Sequence, residues 1–190
     1  MGHMESKAAR IIMTILFGTA LSSILGMIPF GMRILDPGHP AFQFISFGLI
    51  GSSAFALFLV RQYRDAIFVT VLLFILNFFF SGRTVPGIIL TYLLFFVAVT
   101  GSVYLYSRYF YDVLSDLLVA RPLILSSMMA ISFVVATFLL FLVFGSVNNQ
   151  FYPLGNLPIG FLIGLGLGVA FEFVELLAGK TYQSAEIQEQ

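Results

Sequence analysis

Residues 122–145 read PLILSSMMAISFVVATFLLFLVFG, a continuous apolar run without a single Asp, Glu, Lys or Arg. A helix of this length fits the roughly 30 Å hydrocarbon core of a bilayer, at about 1.5 Å per residue. Its apolar residues do not alternate with polar ones, which excludes a strand of a membrane β-barrel. Because only helices and closed barrels satisfy their backbone groups in lipid, this stretch predicts a transmembrane helix.

The rest of the chain repeats this pattern. Of its 190 residues, 59% are hydrophobic and 9% are charged, a balance typical of an integral membrane protein. Most connections between the apolar runs are short, which favours antiparallel neighbours. The sequence therefore predicts an all-α, polytopic membrane bundle of six transmembrane helices in one domain, residues 4–181. The predicted helices are 8–30, 42–60, 65–80, 86–107, 122–145 and 157–178.

Three segments lie outside the predicted spans. Residues 1–3 are expected to be a cloning scar, and residues 182–190 a polar C-terminal tail. Residues 107–121 place apolar side chains at helical spacing opposite a polar face, which predicts an amphipathic cytoplasmic connector. Asp112 and Asp116 on its polar face are candidates for docking a partner subunit. The alternative is an ordinary interfacial connector without a partner.

Basic residues indicate how the chain is oriented. The three loops on one side hold only Arg33 and Arg83. The segments on the other side hold Lys7, Arg10, Arg61, Arg64, Arg108, Arg121 and Lys180. The positive-inside rule therefore predicts that both termini are cytoplasmic. Together with a first apolar run that continues too far for a cleaved signal peptide, this bias predicts the plasma (inner) membrane of a prokaryote.

The loops after the first and third predicted helices resemble each other. One contains FGMR at 30–33 followed by Pro-Gly at 37–38, and the other contains FSGR at 80–83 followed by Pro-Gly at 86–87. One interpretation is a helical hairpin repeated three times, with a degenerate third copy near residues 144–153. The other is that Phe, Gly, Arg and Pro are common wherever a membrane hairpin turns.

The sixth predicted helix carries the residues best suited to a functional site. Gly160, Gly164 and Gly168 recur every four residues, and Glu172 continues the row, with Glu175 one turn further on. Residues four apart share a helix face, so both carboxylates are expected to face protein rather than lipid. A carboxylate inside a bilayer must be protonated, hydrated or paired with a cation. A protonated carboxylate would suit proton coupling, a hydrated one could attract a cation, and a paired one would have a structural role. The candidate cations are Arg61, Arg64, Arg108 and Arg121.

Three polar residues near the outer side are weaker candidates. Arg33 and Arg83 each precede a Pro-Gly that opens the next helix, which suits an anion such as a carboxylate or a lipid phosphate. Alternatively, both arginines extend to the lipid headgroups. Asn77, near the outer end of the third predicted helix, fits either an interhelical hydrogen bond or a ligand contact.

Several functional classes lack support in the sequence. The formal net charge is zero and no basic tract occurs, so a nucleic-acid partner is not expected. The chain has no Cys, and Asp36 with His39 is too small a set for a metal site, so no metal or other cofactor is expected. No catalytic motif is present, which argues against an enzyme.

The function that these patterns favour is a small membrane transport or substrate-capturing module for a small solute or ion. Glu172, Glu175 and Asn77 are then the candidate pathway residues, with Arg33 and Arg83 at the outer mouth. The alternative is a non-catalytic integral subunit or a lipid-binding scaffold of a larger complex. The expected partners are the lipid bilayer and either further copies of the chain or a cytoplasmic or membrane subunit.

Overall fold

All of the described regular structure is helical, which confirms the predicted all-α class. The computed structural model describes residues 2–28, 41–59, 62–80, 86–111, 113, 120–144 and 153–188. It describes side chains in 8–28, 44–59, 62–76, 89–111, 113, 120–144 and 154–177. The helices in these ranges are α1 (Gly2–Met27), α2 (Ala41–Leu59), α3 (Tyr63–Phe80), α4 (Pro86–Leu105), α5 (Ala120–Phe144) and α6 (Leu157–Gln188). A π-helical turn, Tyr106–Phe110, extends α4, and a 3-10 turn, Pro153–Asn156, precedes α6.

Four of these helices, α4 taken with its π-helical turn and α6 with the preceding 3-10 turn, contain segments long and apolar enough to cross a membrane. The segments are Ala8–Met27, Ile89–Phe110, Ala120–Phe144 and Leu154–Leu177. The described apolar part of α2, Phe44–Leu59, is shorter. Large apolar side chains cover outward faces, including Phe68, which is 68% exposed, and Ile131, which is 64% exposed. Contiguous apolar surface of this kind is rare in water but normal in lipid, so the structure supports a helical membrane protein.

The first and last helices are longer than the apolar runs that predicted them. α1 begins at Gly2 and α6 ends at Gln188, whereas the runs predicted a start at residue 8 and an end at residue 178. Hydropathy marks only the part of a helix that suits lipid, whereas backbone hydrogen bonding can continue into polar residues. The two helices therefore extend beyond their apolar segments.

One core is enclosed by five of the helices. α6 lies between α1 and α5, α2 packs on both α1 and α4, and α4 packs on α5. α3 lies outside this ring, mainly against α2. Aromatic rings fill the middle, where Phe47 lies 6.2 Å from Phe133 and 6.0 Å from Phe95 between ring centroids. Phe55 of α2 and Leu167 of α6, both almost fully buried, belong to the same core.

Glycines on two faces allow α6 to take this central position. A Cβ added to Gly166 would lie 2.5 Å from the Cα of Ser22 in α1. On the opposite face, a Cβ on Gly164 would lie 2.7 Å from the Cα of Ser126 in α5. Neither space admits a side chain without separating two backbones. The predicted row of Gly160, Gly164 and Gly168 therefore faces α5, where small residues permit close contact between the helices.

Candidate binding site at the charged end of the bundle

Four charged side chains meet at one end of the bundle, which we name the charged end. Arg10, near the start of α1, forms an ion pair with Glu175 of α6. Arg121, near the start of α5, forms a second pair with Glu172, with 3.3 Å between Nη1 and Oε1. Because α6 runs antiparallel to both neighbours, its two carboxylates lie beside the N-terminal third of α1 and the first turn of α5. The charged end thus links three helices through two ion pairs.

The two ion pairs differ in burial. The side chains of Arg121 and Glu172 are 9% and 11% exposed, whereas those of Arg10 and Glu175 are 46% and 28% exposed. Water and salt screen an exposed pair, so such a pair contributes about 0–1 kcal/mol and separates easily. Removing one partner of a buried pair leaves an uncompensated charge and costs about 3–5 kcal/mol. The Arg121–Glu172 pair is therefore fixed, and the Arg10–Glu175 pair can exchange partners.

Glu172 has unused hydrogen-bonding capacity. Its Oε1 accepts a hydrogen bond from Arg121, while Oε2 is buried without a hydrogen-bond partner among the described residues. Buried carboxylate oxygens are normally satisfied by a donor, a proton, a water or a cation, because an unsatisfied one is costly. Glu172 can therefore accept one more polar contact without giving up Arg121.

Tyr111 lies between the two ion pairs. The π-helical turn after α4 ends where the Tyr111 N–H donates to the Tyr106 carbonyl, at 3.0 Å. The guanidinium of Arg121 lies over the Tyr111 ring, 4.8 Å from its centroid, and donates to the Tyr111 carbonyl at 3.4 Å. The same ring makes an edge contact with Phe171, with 5.4 Å between centroids. Tyr111 thus connects the end of α4 to both α5 and α6.

The phenol of Tyr111 is held in its neutral form. Burial, and after it the nearby carboxylate of Glu175, raise its pKa to about 12, although Arg121 and Arg10 oppose the increase. The hydroxyl therefore remains a hydrogen-bond donor at any physiological pH. It adds a neutral polar group to a cluster whose four charges sum to zero.

A cleft of about 100 Å³ opens beside the exposed ion pair. Its volume corresponds to about three water molecules or a compact chemical group of the same size. Thr14, a buried residue, contributes a hydroxyl, while most of the remaining wall is apolar or aromatic. The lining residues are Arg10, Ile11, Thr14, Ala56, Leu59, Tyr111, Phe171 and Glu175. A cationic group, a carboxylate and two aromatic rings therefore face one small space.

The structure places two of the predicted site residues here. Glu172 faces α5 and meets Arg121, one of the four cations that the sequence offered, and Glu175 lies one turn further on. The side chain of Asn77 lies outside the described residues, as do Arg33, Arg83, Asp112 and Asp116. Asp36 and His39 also lie outside them. Within the described ranges, no group of three or more His, Cys, Asp or Glu could hold a metal ion.

Two important residues of the charged end were not predicted from the sequence. The charge pattern identifies Arg10 only as an orientation signal, although Arg10, Thr14, Gly18 and Ser22 recur every four residues. Such a row of polar and small residues marks a face of α1 that packs against protein, and could have identified Arg10 as a partner for α6. No pattern in the sequence assigns Tyr111 to the site. Its contact with Arg121 depends on the π-helical turn, which sequence periodicity does not reveal.

Comparisons with known proteins identify no relative. No protein-family model, no curated protein and no solved structure matches this chain. The function is therefore inferred from the contacts at the charged end.

Proposed function

We propose that this protein is a small integral membrane module that captures a small solute or ion at the charged end for transport. The observation that carries the proposal is the cleft of about 100 Å³ beside the Arg10–Glu175 pair. That pair is exposed enough to exchange partners, while the buried Arg121–Glu172 pair next to it holds α5 and α6 in place. Helices that are held in place, together with one carboxylate that can exchange its cationic partner, suit the reversible capture of a solute.

The charged end is proposed to face the cytoplasm, with both termini inside, at the plasma membrane of a prokaryote. α2 and α3 have 19 and 18 residues, or about 28 and 27 Å, close to the thickness of the hydrocarbon core. All six helices can then cross the membrane and pair as three hairpins. Each hairpin brings the chain back to the side on which it started, so the segments rich in basic residues all lie on that side. A cytoplasmic solute then reaches the cleft directly.

The transport path is proposed to continue from the cleft between α1 and α2. Beyond Thr14, the hydroxyls of Thr19 and Ser52 lie 2.9 Å apart across this interface. The interface is closed further along, because a Cβ on Gly48 would lie 2.5 Å from the Oγ of Ser22. The cleft would then be the cytoplasmic half of the path, and movement of α1 against α2 would open the other half.

Transport currents test this function. Purified protein in proteoliposomes on a solid-supported electrode is challenged with separate pulses of sodium, ammonium, methylguanidinium, acetate and phosphate. At least one solute is expected to produce a current that Glu175→Gln abolishes. Asp65→Asn is the matched control, because it makes the same chemical change in an exposed groove at the start of α3 and should keep the current. Absence of current for every solute, or a wild-type current in Glu175→Gln, would contradict the proposal.

The alternative function, a non-catalytic subunit or lipid-binding scaffold, remains a prediction from the sequence. Its docking residues, Asp112 and Asp116, lie outside the described residues, so no described contact favours it. Replacing both with Asn should release a bound partner if this alternative is correct. Unchanged co-purification of the partner would count against it.

A further inference from the structure

We infer that the carboxylate of Glu175 is a binding site for a small organic cation, a guanidinium or an amine, which takes the place of Arg10. This inference rests on the proposed function and deepens it by naming the substrate class. Arg10 is the internal example of such a ligand, because its guanidinium already forms the ion pair that the substrate would form. The exchange separates one exposed ion pair and forms another of the same kind.

The lining of the cleft favours an organic cation over a metal ion. Sodium- and calcium-type sites need about six oxygen ligands, whereas Glu175, Thr14 and Tyr111 are the described side chains that bring oxygen to the cleft wall. Apart from Arg10, which the substrate would displace, the remaining wall is apolar or aromatic, with the rings of Tyr111 and Phe171 edge to face. Aromatic faces attract guanidinium and ammonium groups, and Arg121 already uses the Tyr111 ring in this way.

Size and charge set the rest of the specificity. The volume of about 100 Å³ admits a head group about as large as three waters, which fits guanidinium or methylammonium but not a bulky ring. With a cation on Glu175, Arg10 is released into solvent, where its side chain is already 46% exposed. An anion bound to Arg10 would instead release Glu175 beside Glu172, with two carboxylates close together. Of these two exchanges, the geometry favours cation binding.

Titration calorimetry with methylguanidinium chloride tests the inference. The protein is held in nanodiscs of phosphatidylglycerol at constant ionic strength, with urea as the neutral, planar analogue. Wild-type protein should bind methylguanidinium and ignore urea, and Glu175→Gln should weaken binding more than tenfold. Removing the internal competitor with Arg10→Ala should tighten binding about two- to fivefold, the range expected for an exposed ion pair. Asp65→Asn should bind like the wild type.

The outcomes separate this inference from the proposed function. Binding that is equal in Glu175→Gln, weaker in Arg10→Ala, or absent from both the wild type and Arg10→Ala would overturn the inference. A transport current for another solute would still leave the function standing in that case. Conversely, binding without any current would keep the site and overturn transport. Competition by added phosphatidylethanolamine would identify a lipid ammonium, rather than a soluble amine, as the cation.

Discussion

The buried ion pair makes the most specific prediction about stability. Replacing Arg121 with Met keeps an aliphatic side chain but leaves Glu172 buried without its cationic partner. The expected loss is about 3–5 kcal/mol, because the carboxylate is only 11% exposed and water cannot compensate it fully. At about 2–4 °C per kcal/mol for a chain of this size, the melting temperature should fall by about 6–20 °C.

Two further variants make this prediction refutable. Arg10→Met removes the same kind of charge from the exposed pair, and should lower the melting temperature by no more than about 4 °C. The double variant Arg121→Met/Glu172→Leu removes both buried charges and should recover most of the stability lost by Arg121→Met alone. The assay is thermal unfolding in one detergent at fixed pH. Equal losses of stability in the two Arg variants, or a double variant less stable than Arg121→Met, would refute the claim that the buried ion pair matters more for stability than the exposed one.

Four other perturbations test the packing and the tyrosine. Gly166→Leu should destabilise the protein by about 1–3 kcal/mol, since even a Cβ would lie 2.5 Å from Ser22. Gly101→Ala, with open space around its Cβ, should instead raise stability by about 0.5–1 kcal/mol in the same thermal assay. Because the pKa of Tyr111 is raised from 10.0 to about 12, its stabilising contribution should be complete below pH 10 and fall between pH 10 and 12. Ultraviolet titration against Tyr111→Phe measures that pKa. Phe133→Ala should cost about 3–5 kcal/mol, measured by denaturant unfolding, because the ring is almost fully buried.

The sequence predicted the helical architecture well for a physical reason. Lipid permits few backbone structures, so long apolar runs identify helices without knowledge of tertiary contacts. The glycine row of α6 likewise predicted that Glu172 faces a neighbouring helix, because residues four apart share a face. Its partner could not be chosen from the sequence, since Arg121 lies 51 residues away and three other arginines were equally suitable. Only the packing of α5 on α6 decides among them.

The exposed ion pair and the cleft could not be predicted from the periodicity of the sequence. Arg10 and Glu175 are 165 residues apart, and they meet because α1 packs on α6 through Gly166 and Ser22. The cleft also requires Tyr111, whose position depends on a single π-helical turn after α4. Such a turn depends on tertiary contacts and leaves no regular pattern in the sequence.

Native mass spectrometry of the protein, gently extracted from its own membrane, tests the central claim most directly. The capture of a small solute at Glu175 predicts a defined small-molecule mass on the wild type and on Asp65→Asn, lost from Glu175→Gln. Retained lipid should be the same in all three proteins. A stoichiometric foreign subunit with no small ligand, or a ligand that Glu175→Gln retains fully, would contradict the claim.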